Sequence, residues 1–393
     1  LRALASISMI LVCALTAGAQ EPFVLAYLPQ GFGESSNYND AAAHYRSGEA
    51  NLKHAPRSAD ASFLWASRLN PTWALPLYGR AIAQERLWFE DAFLAAYSGE
   101  RPSEPSRAQL HLLDSLMFGA LTLDPFLDRR IDRLLQQGRE RQIHWRVRLG
   151  GKKVNLPDEV GLGNEEFMEQ DYIGATENWG KALKEMPDLL MLHSFRAEAF
   201  YARKRYDSTV IELQALTAKL QKREEKDLVY EFQSKAMAIY ATAVAQVQLG
   251  ELKAARETFE QALTENLGLY MAHVRLAGLS LMTGDTTSAV TELGAATQLN
   301  DADAGILFQY GFVLIAADHD DSATVMLRKS IKADPYFAMP YEFLGRVLDA
   351  HGKKAEAILA YQGFIDHAAR DDNDLPWAVE RVVQLSREVA GKK

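Results

Sequence analysis

One spacing constrains this chain more than any other feature. GELKAARETFEQAL starts at Gly250, GDTTSAVTELGAAT at Gly284, DHDDSATVMLRKSI at Asp318 and GKKAEAILAYQGFI at Gly352, each 34 residues after the last. Numbered within a 34-residue unit, position 15 holds Gly250, Gly284, Asp318 and Gly352, and position 20 holds Ala255, Ala289, Ala323 and Ala357. Position 24 holds Phe259, Leu293, Leu327 and Tyr361; position 27 holds Ala262, Ala296, Ser330 and, as the exception, Phe364. Upstream, position 8 holds Ala243, Ala277, Gly311 and Gly345.

Apolar residues at helical spacing on both sides of a glycine or aspartate predict two antiparallel helices per unit. Small residues at positions 8, 20 and 27 let those helices approach closely. The position 15 residue ends the first helix in the left-handed conformation, and position 24 is expected to fill the gap between neighbouring pairs. One hairpin cannot bury its apolar face alone, so stacking is required and only contact positions are constrained.

This pattern resembles the tetratricopeptide repeat (TPR), a 34-residue helix-turn-helix with small residues near positions 8, 20 and 27, an aromatic at 24 and proline at 32. Gly163, Ala175, Trp179, Ala182 and Pro187 fit a unit from Leu156, and Ala59, Phe63, Ala66 and Pro71 fit the second helix of a unit over 40–73. Pro335 takes position 32 of the unit from Ala304, and the unit from Leu190 is weaker, with Thr209, Leu213 and Leu216 at the key positions. The period slips by 12 residues before Ala236, and NPTWALP at Asn70 echoes DPYFAMP at Asp334. The resemblance implies an all-α, right-handed superhelical solenoid of antiparallel helix hairpins. The expected organisation is a signal peptide over 1–19, a linker over 20–39 and a degenerate TPR-like region over 40–155. Two units with a lengthened helix pair follow over 156–235, then four consecutive units over 236–371 and a capping helix over 372–393.

Net charge is −9, the opposite of what a phosphate-binding surface needs, so no nucleic-acid partner is expected. Arg2, the apolar run 7–15 and Ala17-Gly18-Ala19 read as a cleavable secretory signal, with residues 3–19 as a retained anchor in the alternative. The expected location is therefore periplasmic or extracellular, with no membrane span in the mature chain unless that segment is kept. Leu1 stands where an initiating Met is usual, and Val12 before Cys13 disfavours lipidation. Cys13 is the only cysteine, so a cleaved chain has no disulfide and no thiolate metal site.

No H-E-x-x-H, G-x-S-x-G or phosphate-loop glycine motif occurs, and the nine histidines are scattered. Asp318-His319-Asp320-Asp321 sits at the tight turn and reads as turn and helix cap before it reads as a cation site. No enzyme activity, cofactor or metal is expected.

In TPR arrays, positions 2, 5, 9 and 12 line the groove. By that resemblance the candidate protein- or peptide-binding residues are Met237, Tyr240, Val244 and Val247, then Met271, Val274 and Leu281, then Phe308, Phe312 and Ile315. The last unit turns polar at the same positions, with Met339, Glu342, Arg346 and Asp349. Asn164 matches one residue of the family's carboxylate clamp, but Val160 and Phe195 stand where its Lys and second Asn belong, so the clamp is not carried over. A methionine- and aromatic-lined trough suits an apolar partner; the alternative is that the chain fills the trough itself. The expected function is an exported scaffold for protein–protein interaction. A self-associating envelope subunit and an accessory segment of a larger signalling or enzymatic system are the alternatives.

Overall fold

The computed structural model describes residues 38–99, 105–127, 156–220 and 234–390. The signal segment, Cys13, most of the 12-residue slip and residues 128–155 lie outside the described residues. Among those described, all regular structure is helical, and the helices fall into two compact units.

One unit holds the described residues of 78–269. Helix α3 (Ala74–Tyr97) runs into it, followed by α4 (Arg107–Leu123), α5 (Asp158–Met168), α6 (Tyr172–Glu185), α7 (Met191–Ala202), α8 (Tyr206–Leu220), α9 (Lys235–Gln248) and α10 (Leu252–Glu265). The other unit joins the described residues of 1–77 to those of 270–393. It contains α1 (Ala41–Asn51), α2 (Pro56–Leu69), α11 (Tyr270–Met282), α12 (Thr286–Leu299), α13 (Ala304–Ala316), α14 (Asp320–Ala333), α15 (Met339–Ala350), α16 (Lys354–His367) and α17 (Leu375–Ala390). From α5 to α10 and from α11 to α17 each helix packs on the next, which is the TPR-like stack of hairpins.

The turns prove the register. Positive φ occurs at Gly250 (79°), Gly284 (77°), Asp318 (59°) and Gly352 (70°), all at position 15. Gln170 (69°) and Lys204 (58°) hold the same position in the two earlier units. At each turn the chain leaves one helix through a left-handed residue, which satisfies the free carbonyls at that helix end. The second helix then starts on a side-chain cap where one is present: Asp171 accepts from the Gly174 amide at 3.0 Å and Asp285 from the Ser288 amide at 2.9 Å.

Position 24 does something other than bridge neighbouring hairpins alone. A Cβ built on Gly163 would lie 2.6 Å from Trp179 Cδ1, one on Gly345 2.5 Å from Tyr361 Cδ1, and one on Gly311 3.0 Å from Leu327 Cγ. Position 24 thus presses on the bare backbone of position 8 within its own hairpin. Trp179 also reaches the next unit, with its ring 5.5 Å from that of Phe195. In α1 and α2 the equivalent contact joins Gly48 to Phe63, where a Cβ would lie 2.5 Å from the ring. That spacing is one residue shorter than in the later units, so the first hairpin has a tighter connection.

The polar last unit has a structural cause. Helix α17 docks on α16, and Arg381 grips Asp349 with two hydrogen bonds of 2.7 and 2.9 Å. Arg346 lies 4.3 Å over the Trp377 ring and donates to Glu342 at 2.6 Å. These positions serve the cap.

Candidate functional site

The ten candidate residues divide between the two units. In the 78–269 unit, Met237 and Tyr240 are buried, while Val244 and Val247 are half-buried. Tyr240 is fully enclosed: its hydroxyl donates to the Thr122 carbonyl at the end of α4, and its ring tilts against Phe259. Val244 rests on a cluster that includes Phe126, Leu213 and Leu216. Phe126 stacks on Tyr201 at 3.9 Å, and its backbone amide is held by Asp124 Oδ1 at 2.9 Å. The chain therefore fills the Tyr240 end of this lining with its own residues 122–126.

In the other unit, Met271, Val274 and Phe312 are buried, and Leu281, Phe308 and Ile315 are half-buried. Phe308 and Ile315 pack against one cluster with Leu327, Leu344 and Leu348. Phe308 meets Phe337 edge-on at 5.3 Å and Phe343 at 5.5 Å, and Phe312 meets Phe343 at 5.2 Å. Edge-to-face rings of this kind hold one another in place. Phe308, Ile315 and Phe343 are thus the half-buried apolar face of a rigid aromatic core. Phe343 escaped the groove-position reading because it stands one residue beyond position 5.

Several polar groupings were not legible from spacing. His193 Nδ1 lies 2.8 Å from Glu212 Oε2, and Arg196 pairs with the same carboxylate at 2.6 Å. His273 and Glu292 make the same contact at 2.7 Å. Both pairs join position 4 to position 23 of one unit, so two of the scattered histidines are braces across a hairpin. Asn164 accepts from Trp179 Nε1 at 3.1 Å. Asp318 takes the left-handed turn as expected, and Asp320 faces His351 Nε2 at 2.7 Å. His319 occupies the cap position of α14 without a side-chain capping bond. Among the described residues no group of three or more His, Cys, Asp or Glu is placed to hold a metal, and no helix is long and apolar enough to cross a membrane.

Glu342 is a perturbed acid among the described residues. Burial pushes its pKa up to about 7, against the pull of Arg346. It accepts from Arg346, which also lies over the Trp377 ring of α17.

Hairpins of this geometry, repeated in this register, define a TPR-like helical repeat protein. No family model and no curated protein matches the chain. Solved structures similar to it include yeast Tom70, at 14% identity over 99% of this chain and 72% of that one, with a TM-score of 0.45. The C-terminal part of a TPR repeat-containing protein from Cytophaga hutchinsonii is 14% identical over 52% of this chain and 77% of that one, TM-score 0.43. YrrB, described as a TPR protein with an unusual peptide-binding site, is 18% identical over 53% of this chain and all of that one, TM-score 0.40. Likeness at this level carries no inference about partners.

Proposed function

We propose that this chain is an exported, non-enzymatic scaffold that binds a protein or peptide partner. The observation that carries the reading is the half-buried face of Phe308, Ile315 and Phe343, backed by one aromatic core on consecutive hairpins. Half-buried rings fixed from behind offer apolar area with little loss of side-chain freedom on binding. Leu281 of α11, and Val244 and Val247 in the other unit, are the further candidates. The buried Met237, Tyr240, Met271, Val274 and Phe312 support these surfaces from beneath.

A self-associating subunit is the alternative; over residues 40–78, the apolar Ala41, Phe63 and Leu69 are fully buried within the chain and offer no surface for it. Export rests on the segment 1–19. Its test is the mass of the chain recovered from the cell envelope or medium, with loss of residues 1–19 expected and a full-length cytoplasmic chain contradicting it.

The binding reading is tested by co-purification with wild type, with Leu281→Lys plus Ile315→Lys, and with Leu359→Lys. Leu359 is 73% exposed on α16 and serves as the control. Partners retained by the control and lost from the double variant support the reading; partners retained by both contradict it.

A further inference from the structure

The two turns whose sequences echo each other, at Asn70 and Asp334, belong to one unit of the fold, and they are joined by a compact set of contacts. Arg68, at the end of α2, reaches the carboxylate of Asp334 with Nε at 3.0 Å from Oδ2 and Nη2 at 3.2 Å from Oδ1. Its guanidinium lies against the rings of Trp65, 4.8 Å away, and Tyr336, 4.6 Å away. Those rings meet edge-on at 5.2 Å. Asn39 Nδ2 donates to the Ala368 carbonyl at 2.9 Å, and Ala41 and Leu69 pack on Ala369. At Gly305, a Cβ would stand 3.4 Å from Thr72 Cγ2, 3.5 Å from Pro71 and 3.2 Å from Asp303 Oδ1.

Asp334 Oδ1 accepts from the Tyr336 amide at 3.1 Å and so closes an Asx turn. Asn70 closes the same turn on the Thr72 amide at 3.2 Å, and Asn266 on the Gly268 amide at 2.9 Å. An uncharged amide therefore suffices for the turn, and among the described residues the negative charge at 334 is paired with Arg68. A two-pronged guanidinium–carboxylate pair resting against two aromatic rings is geometrically specific. Around it the contact is a small cluster, Ala41, Leu69 and Ala369 edged by Trp73 and Tyr336, and the Arg68 side chain stays 33% exposed. Such a contact can open without breaking a broad apolar core.

We infer that residues 334–337, the start of α13 and the Ala368 and Ala369 loop form a binding site for a basic–aromatic turn segment, which the chain's own residues 65–73 fill as a releasable latch. Its ligand class is a peptide presenting arginine beside an aromatic ring ahead of an Asx-Pro turn; Asp334 gives the charge complement. A segment held within the same chain acts at an effective concentration of the order of millimolar, so an outside peptide competes poorly until the latch is loosened. The site rests on contacts of the chain with itself, and the scaffold reading supplies only the outside competitor.

The test uses the full chain and a fluorescein-labelled peptide of residues 56–73, so it needs no cellular partner and fails separately from the scaffold reading. Asp334→Asn keeps the turn and removes the charge; Arg68→Glu reverses the other side. Amide hydrogen exchange in α1 and α2 is expected to quicken at least about tenfold in both variants, equivalent to about 1.4 kcal/mol, with α14 to α16 unchanged. By anisotropy, Arg68→Glu is expected to bind the peptide at least about tenfold more tightly than wild type, and Arg68→Glu plus Asp334→Lys is expected not to bind it. Unchanged exchange in α1 and α2 overturns the latch. Equal peptide binding by Arg68→Glu and the double variant overturns the site.

Discussion

Gly345 and Tyr361 occupy one space: the ring of Tyr361 lies where a Cβ on Gly345 would be, 2.5 Å from Cδ1. The same relationship between positions 8 and 24 closes the hairpins of Gly163 with Trp179 and of Gly311 with Leu327. It makes small residues at position 8 a steric requirement of each hairpin.

Helix α5 offers an internal contrast. Gly161 has nothing within 4 Å of a built Cβ, whereas Gly163 meets Trp179 at 2.6 Å. Gly161→Ala is expected to stabilise the chain by about 0.5–1 kcal/mol, because glycine in a helix interior is costly. Gly163→Ala is expected to destabilise it by about 1–3 kcal/mol through overpacking. Urea denaturation of both variants measures the opposite signs.

The left-handed turn gives a second contrast. Gln170, Lys204 and Asp318 hold positive φ with a side chain attached, at a cost of roughly 1–2 kcal/mol for an ordinary L-residue and less for aspartate. Lys204→Gly and Gln170→Gly are expected to raise stability by up to about 1 kcal/mol, offset in part by unfolded-chain entropy. Gly250→Ala, at φ 79°, is expected to lower stability by a similar amount. Thermal melts of the three variants decide it.

Glu342 makes stability depend on pH. Burial raises its pKa from about 4.5 to about 7, so the folded chain binds a proton more tightly than the unfolded chain. The contribution is fully present below about 4.5 and is lost as pH rises towards 7. Glu342→Gln is expected to flatten that fall and to stabilise the neutral-pH protein by an amount on the order of 1–3 kcal/mol. Denaturation of both proteins from pH 5 to pH 8 checks it; parallel curves would contradict the assignment.

The cap can be loosened selectively. Arg381 holds Asp349 by two bonds, and removing one partner leaves a carboxylate that is 14% exposed. Arg381→Ala is expected to cost about 1–3 kcal/mol, read as faster hydrogen exchange in α17 and the end of α15 with the α11 rates unchanged.

The repeat was legible in the sequence because its constraints are local. Positions 8, 15, 20 and 24 meet within one hairpin, so their spacing survives wherever the hairpin does. The turns at Gln170 and Lys204 were hidden because tertiary packing overrode a poor local preference. Groove residues were legible as positions but not as open or filled. Tyr240 is covered by Thr122, more than a hundred residues upstream, and no local pattern reports that. The Arg68–Asp334 pair left a trace only in the echo of NPTW and DPYF, whose meaning depends on a contact between distant turns.

The central claim, that the aromatic-backed face is where a partner binds, is tested most directly by photocrosslinking in the native cell. Benzoyl-phenylalanine in place of Phe308 keeps an aromatic ring at the site, and the same residue at Leu359 reports an outer surface. The account predicts a discrete protein adduct at 308 that untagged wild-type chain competes away, and none at 359. Adducts at 359 alone, or none at 308 in a folded chain, would contradict it.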